Sequence, residues 1–116
     1  TIIGYAEVSS MSSVVMQAAT RRLLMPHTRF MVHYGDMSIE SNSVSVKSAV
    51  DENEKLNKLM LEIYATRCSS GERFKGFSKT RIKKFLDTKM RNKQEWYMSA
   101  EEAIQYGFVD GIFKGE

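Results

Sequence analysis

A mixed α/β fold with one protruding helix is predicted by three features of the chain. Strand-forming residues (Thr1, Ile2, Ile3, Tyr5 and Val8) crowd residues 1–8. The text then turns helical in the compact apolar run Ser13-Val-Val-Met-Gln-Ala-Ala-Thr20. Third, Val46, Val50, Leu56, Leu59, Met60, Ile63 and Tyr64 fall mostly at helical spacing within Val44–Arg67, with Lys47, Asp51, Glu52, Lys55 and Lys58 on the other faces.

In chain order, residues 1–8 read as a strand and 11–20 as a helix. Residues 23–25 and 28–33 read as short strands joined by Pro26-His27, because proline lacks a ladder donor and disfavours helix on both sides of itself. Gly35–Ser43 is polar and turn-rich and reads as a surface loop. The 44–67 helix is sparsely apolar in its first half and richly so in its second, the pattern of a helix that leaves the body at one end. Ser69–Phe77 reads as a loop, and Ser78 caps a helix to about Met90 with Ile82, Phe85, Leu86 and Met90 on one face. Ser99-Ala-Glu-Glu102 has the form of a capping box, Gly107 stands where a left-handed helix stop is needed, and Phe108–Ile112 reads as a final strand.

The 116 residues suffice for one domain with a core, and 42% hydrophobic with 27% charged residues is ordinary for a globular chain. The lone Cys68 excludes an internal disulfide and fits a reducing compartment. No apolar run approaches the length of a membrane span, so no membrane partner is expected, and Thr1-Ile-Ile-Gly4 shows no targeting signal. Charge is uneven. Between Arg67 and Lys93 ten Lys/Arg face two acids, Glu72 and Asp87, a local +8 in a chain of net +3. Such asymmetry points to an anionic partner (nucleic acid, an acidic protein face or a neighbouring subunit) or to a solvated helix face. No nucleic-acid-binding fold accompanies it, so nucleic acid is disfavoured. No cofactor is expected: no Cys/His cluster has metal-ligand spacing, and no glycine-rich phosphate cradle is present.

The candidate chemistry lies at the strand-to-helix junction. A serine there sits on a tight turn with its hydroxyl exposed, beside the free N–H groups that open the helix and can stabilise an oxyanion. Ser10 stands at this junction, flanked by Ser9 and Ser12. An ordinary serine N-cap is the structural alternative. His33 ends the buried run Thr28-Arg-Phe-Met-Val-His33, which is where a Ser–His pair would need it. A satisfied core histidine is the alternative there.

These residues resemble the ClpP family of self-compartmentalised serine peptidases. The resemblance is carried by Ser10-Met-Ser-Ser-Val-Val-Met-Gln-Ala-Ala19, Pro26, Met31-Val-His33 and, most specifically, Met98-Ser-Ala-Glu-Glu-Ala-Ile-Gln-Tyr-Gly-Phe-Val-Asp110. The Ser10–His33 spacing and the Ser-x-x-Ser form are closer to ClpP-like proteases of bacteriophages than to the bacterial housekeeping enzyme. The resemblance covers nearly the whole chain, taken as a single ClpP-like domain over 1–116, with a basic insertion at about 69–93 as its main departure. It implies the layered ClpP/crotonase fold, here its C-terminal portion, with the 44–67 helix as the handle through which two rings meet. A first half bearing a glycine-rich oxyanion loop is then expected upstream or from another polypeptide.

The resemblance further implies Ser10 as nucleophile, His33 as base and Met11 as donor of a backbone N–H to the oxyanion. The family's aspartate, four residues before the capping serine, is replaced by Glu95 in Gln94-Glu-Trp-Tyr-Met98, and Asp87 is the alternative acid. Ser10 is preferred to Ser9 and Ser12 because it directly precedes Met11 and keeps the family spacing to His33. The implied activity is cleavage of unfolded polypeptides or peptides in a homo-oligomeric ring served by an ATP-driven unfoldase, or processing of phage capsid or scaffold proteins. The implied location is the cytoplasm, the host cytoplasm for a phage-encoded chain, or an organelle interior. Two competitors remain. A non-catalytic ClpP-like ring subunit accounts for glutamate in place of aspartate, and a crotonase-type acyl-CoA enzyme would not need Ser10 paired with His33.

Overall fold

The computed structural model of the chain describes residues 1–35 and 43–115. Two three-stranded sheets form its body. In the first, β1 (Ile2–Gly4), β3 (Arg22–Leu24) and β6 (Gly111–Ile112) run parallel in the order β1-β3-β6. In the second, β2 (Glu7–Ser9) lies parallel to β4 (Arg29–Val32), which pairs antiparallel with β5 (Trp96–Met98).

The single strand expected over residues 1–8 is therefore two. Ala6 adopts φ 62°, which breaks the extended backbone and carries the chain from one sheet to the other. The break is stabilised from outside its own stretch: the Arg29 N–H donates to the Ala6 carbonyl and the Met25 N–H to that of Gly4. The helix expected over 11–20 is also shorter. α1 (Met11–Val15) tightens into a 3-10 turn at Met16–Ala18, and Ala19 is already extended. The Gln17 amide explains the stop, because it is buried and donates to the carbonyls of Ser13 and Phe108, tying this turn to the far end of the chain.

α2 (Ser43–Cys68) matches its expected span closely. Among its described side chains none is buried before Tyr64, while Val50, Leu56 and Leu59 are exposed, so its first half stands away from the body. The surface loop expected at 35–43 falls outside the described residues except at its ends. Gly35 is held by α2, its N–H donating to Asn57 and its carbonyl accepting from Asn53. Residues 69–77 contain a 3-10 turn, Glu72–Phe74, whose Phe74 is buried. α3 (Lys79–Lys93) runs one turn past Met90, with the Ser78 hydroxyl accepting from the Arg81 N–H at 3.2 Å. The capping box on α4 (Ala100–Tyr106) is complete, with Ser99 and Glu102 each accepting the other's backbone N–H at 3.1 Å. Gly107 then stops the helix at φ 84°. The last strand is only Gly111–Ile112, since Phe108 and Val109 are turned into the core instead.

The core is aromatic at its centre. Phe108 packs against Phe30, Tyr64 and Trp96 with centroids 5.3–5.9 Å apart, joining the second sheet, α2 and α4. Phe74 lies between Phe77, Phe85 and Tyr106 and joins α3 to the same body. α4 docks on the end of α2 through two glycines in backbone contact. A Cβ on Gly71 would lie 2.5 Å from the Tyr106 carbonyl carbon, and one on Gly107 2.7 Å from the Cys68 oxygen. Gly71→Ala is therefore expected to destabilise the fold by about 1–3 kcal/mol, because only backbone can yield there. A urea midpoint unchanged by the substitution would show that the α2–α4 junction gives way without cost.

Candidate active site

Ser10 occupies the turn between β2 and α1 with φ 57° and ψ −126°, a conformation that a side-chain-bearing residue adopts at a cost of about 1–3 kcal/mol. Long-range bonds hold the strain in place. The Ser10 N–H donates to the Met31 carbonyl at 3.1 Å, and the Ser10 carbonyl accepts from the Ser13 N–H and from the Ser13 hydroxyl. Ser13 is itself buried and shares a 2.5 Å hydrogen bond with the Tyr64 hydroxyl, whose pKa burial drives upward, so the phenol stays protonated. The turn under Ser10 is thus pinned to α2.

The Ser10 hydroxyl makes no capping bond to α1. It lies 2.8 Å from His33 Nε2 instead. Register explains the approach: β2 and β4 are parallel with Ser9 opposite Met31, so their ends bring residues 10 and 33 to the same edge of the sheet. Ser10 is exposed and His33 half-buried, so the pair is open to a ligand. Met11 is exposed as well, at 67%, and its N–H belongs to the first turn of α1, where amides have no helical partner.

A cavity of about 660 Å³ adjoins the histidine and is lined by His33, Tyr34, Arg91, Gln94 and Glu95 among others. Glu95 reaches this wall because Gln94, at φ 61°, turns the chain sharply between α3 and β5. Its carboxylate makes no hydrogen bond to His33 among the described residues. Asp87, the alternative acid, is committed elsewhere: it accepts from the Tyr34 hydroxyl and from Arg91 Nε at 3.0 and 3.1 Å. Desolvation and the bond to Asp87 push the Tyr34 pKa up, and Asp87 raises that of Arg91. The cluster ties the residue after His33 to α3.

Sequence reasoning missed this Tyr34–Asp87–Arg91 cluster, for which only the i,i+4 spacing of Asp87 and Arg91 gave a local signal. It also missed Arg22. That side chain is buried and bonds Asp110 Oδ1 at 2.7 Å, Gln17 Oε1 at 2.7 Å and the carbonyls of Gly107 and Phe108. A charge inside the apolar run Arg22-Leu-Leu24 was the available signal, because arginine is seldom buried without a partner.

A serine on a strained turn, facing a histidine at a sheet edge in a mixed α/β chain, has the geometry that nucleophilic catalysis requires. A family profile described as Clp protease matches residues 1–116. Similar curated proteins include an ATP-dependent Clp protease proteolytic subunit of Ligilactobacillus salivarius, 29% identical over 110 residues, covering 93% of this chain and 49% of that protein. One of Oltmannsiellopsis viridis is 29% identical over 114 residues, covering 97% and 52%. ATP-dependent Clp protease proteolytic subunit 3 of Rhizobium etli is 31% identical over 117 residues, covering 96% and 52%. The chain belongs to the Clp protease family. It spans about half the length of the curated relatives it matches.

Proposed function

We propose that the chain carries the catalytic residues of a serine endopeptidase acting on unfolded polypeptide or peptides. The observation that carries this reading is the 2.8 Å contact between Ser10 Oγ and His33 Nε2, made in place of an N-cap bond. In this reading His33 Nε2 takes the hydroxyl proton as Oγ attacks the scissile carbonyl. The Met11 N–H donates to the oxygen that becomes negative, and the imidazolium then protonates the leaving amine. An acyl-Ser10 ester remains, and water activated by the same imidazole releases it.

Glu95 is the acid we assign to His33 Nδ1. It lines the histidine's cavity with its carboxylate uncommitted among the described residues, whereas both oxygens of Asp87 are engaged. The relatives are named proteolytic subunits of an ATP-dependent protease, which supports an assembly of several subunits served by an ATP-driven partner, and a homo-oligomeric ring is the assembly we propose. Among the described residues no helix is long and apolar enough to cross a membrane.

A fluorophosphonate probe tests the nucleophile in the assembled protein. Ser10 is expected to be the only serine labelled, and Ser10→Ala to abolish labelling. Labelling that survives Ser10→Ala and disappears in Ser9→Ala or Ser12→Ala would move the nucleophile. That no bond to His33 Nδ1 is found among the described residues favours one second reading, a ring subunit that shapes the chamber without cutting. In that case the assembly hydrolyses peptide at the same rate with Ser10→Ala.

A further inference from the structure

The basic helix α3 divides its cations into two sets. Lys79 and Lys83 both pair with Glu62 of α2, and Arg91 pairs with Asp87, so these serve the fold. Arg81, Lys84, Lys89 and Lys93 pair with no carboxylate among the described residues. These four line one groove of about 530 Å³, whose floor is formed by the half-buried rings of Phe77 and Phe85. No acidic residue lines it. Along α3, Arg81, Phe85, Thr88 and Asn92 share the face that opens into the groove, with Lys84 flanking it on one side and Lys89 and Lys93 on the other.

From this groove we infer a docking site for an acidic segment of a partner protein that carries an apolar side chain between its carboxylates. Charge complementarity sets the sign of the occupant. Four cations line the groove with no acid among its lining residues, a one-sided charge that favours an anionic neighbour. The aromatic floor sets the second requirement: a bulky apolar side chain fits over Phe85, and the cavity volume is in the range of ordinary ligand sites. A protein segment fits this pair of demands better than single-stranded nucleic acid. Bases would need open ring faces to stack on, and Phe77 is already covered by the Arg81 guanidinium, 3.8 Å from its centroid. The groove is separate from the Ser10–His33 pair, neither of which lines it.

Fluorescence anisotropy on the chain tests the inference, with a labelled peptide of aspartates and glutamates around a central Leu-Phe pair as probe. Saturable binding is expected, weakening as salt rises. The double charge reversal Lys84→Glu with Lys89→Glu should lower affinity roughly tenfold or more, and a lysine-arginine version of the peptide should bind the reversed protein better than the original. If the reversed protein loses its helical circular dichroism, Lys84→Gln with Lys89→Gln replaces it, with a smaller loss expected. Four results overturn the inference. Equal affinity for a peptide with Gly-Ser in place of Leu-Phe would reduce the groove to a general polyanion surface. Tighter binding of oligo(dT), or of phosphatidylserine vesicles, would assign it to nucleic acid or lipid. Loss of self-association in the reversed variant, with no peptide binding by the original, would make a second copy the occupant. Undiminished peptide binding by the reversed protein would place the site elsewhere.

Discussion

Ser10→Ala and His33→Ala are each expected to lower peptide hydrolysis by the assembled protein by about 10⁶-fold, and the double substitution by no more than either alone. The lack of additivity is the informative part. A hydroxyl and an imidazole joined at 2.8 Å act as one unit, so removing either disables the other. Glu95→Gln should cost about 10⁴-fold with peptide binding intact, because an amide fills the same space but can hold the wrong tautomer and cannot balance an imidazolium. Asp87→Asn should cost little in rate, since Asp87 is bonded to Tyr34 and Arg91 and not to His33. Steady-state hydrolysis of a fluorogenic peptide by the four single variants and the Ser10→Ala, His33→Ala double checks these values. A large loss in Asp87→Asn with a small one in Glu95→Gln would exchange their roles. Losses that add across Ser10 and His33 would show that the two residues do not work together.

Asp110→Asn is expected to destabilise the fold by about 2–3 kcal/mol, or roughly 10 °C in Tm. The Arg22 side chain is 2% exposed and would keep its charge while losing its one carboxylate partner among the described residues. The value sits below that for a fully buried pair because Asp110 is 38% exposed and Arg22 keeps Gln17 and two carbonyls. The pH dependence has a definite sign. The hydrogen bond from Arg22 holds the Asp110 carboxyl below the usual aspartate range, against the opposing effect of burial. Its stabilisation is complete above the unfolded aspartate value, near pH 4, and is lost as pH falls through the lower folded-state value. Urea unfolding at neutral and acid pH should therefore show the gap between native chain and Asp110→Asn closing below about pH 4. A gap that persists undiminished in acid would mean that the pair contributes through shape and not through charge.

By itself the sequence determined the features whose partners lie within one turn of backbone. The Ser99–Glu102 box, the Ser78 cap, the left-handed stop at Gly107 and the span of α2 were all legible. Each is decided by contacts three or four residues apart, or by one residue's own φ preference. The family was legible too, because its C-terminal segment is built from such local signals.

Tertiary structure decided the rest. Residues 1–9 became two strands in two sheets because β3 and β4, twenty and twenty-two residues further along the chain, claimed the two ends. Ser10 and His33 came to 2.8 Å through the parallel register of β2 on β4, which no periodicity encodes. Asp87 was taken up by Tyr34 across 53 residues, and Arg22 was buried by Asp110 across 88. Pairing at such separation depends on which side chains the packed core leaves facing one another. Local propensity carries no information about that choice.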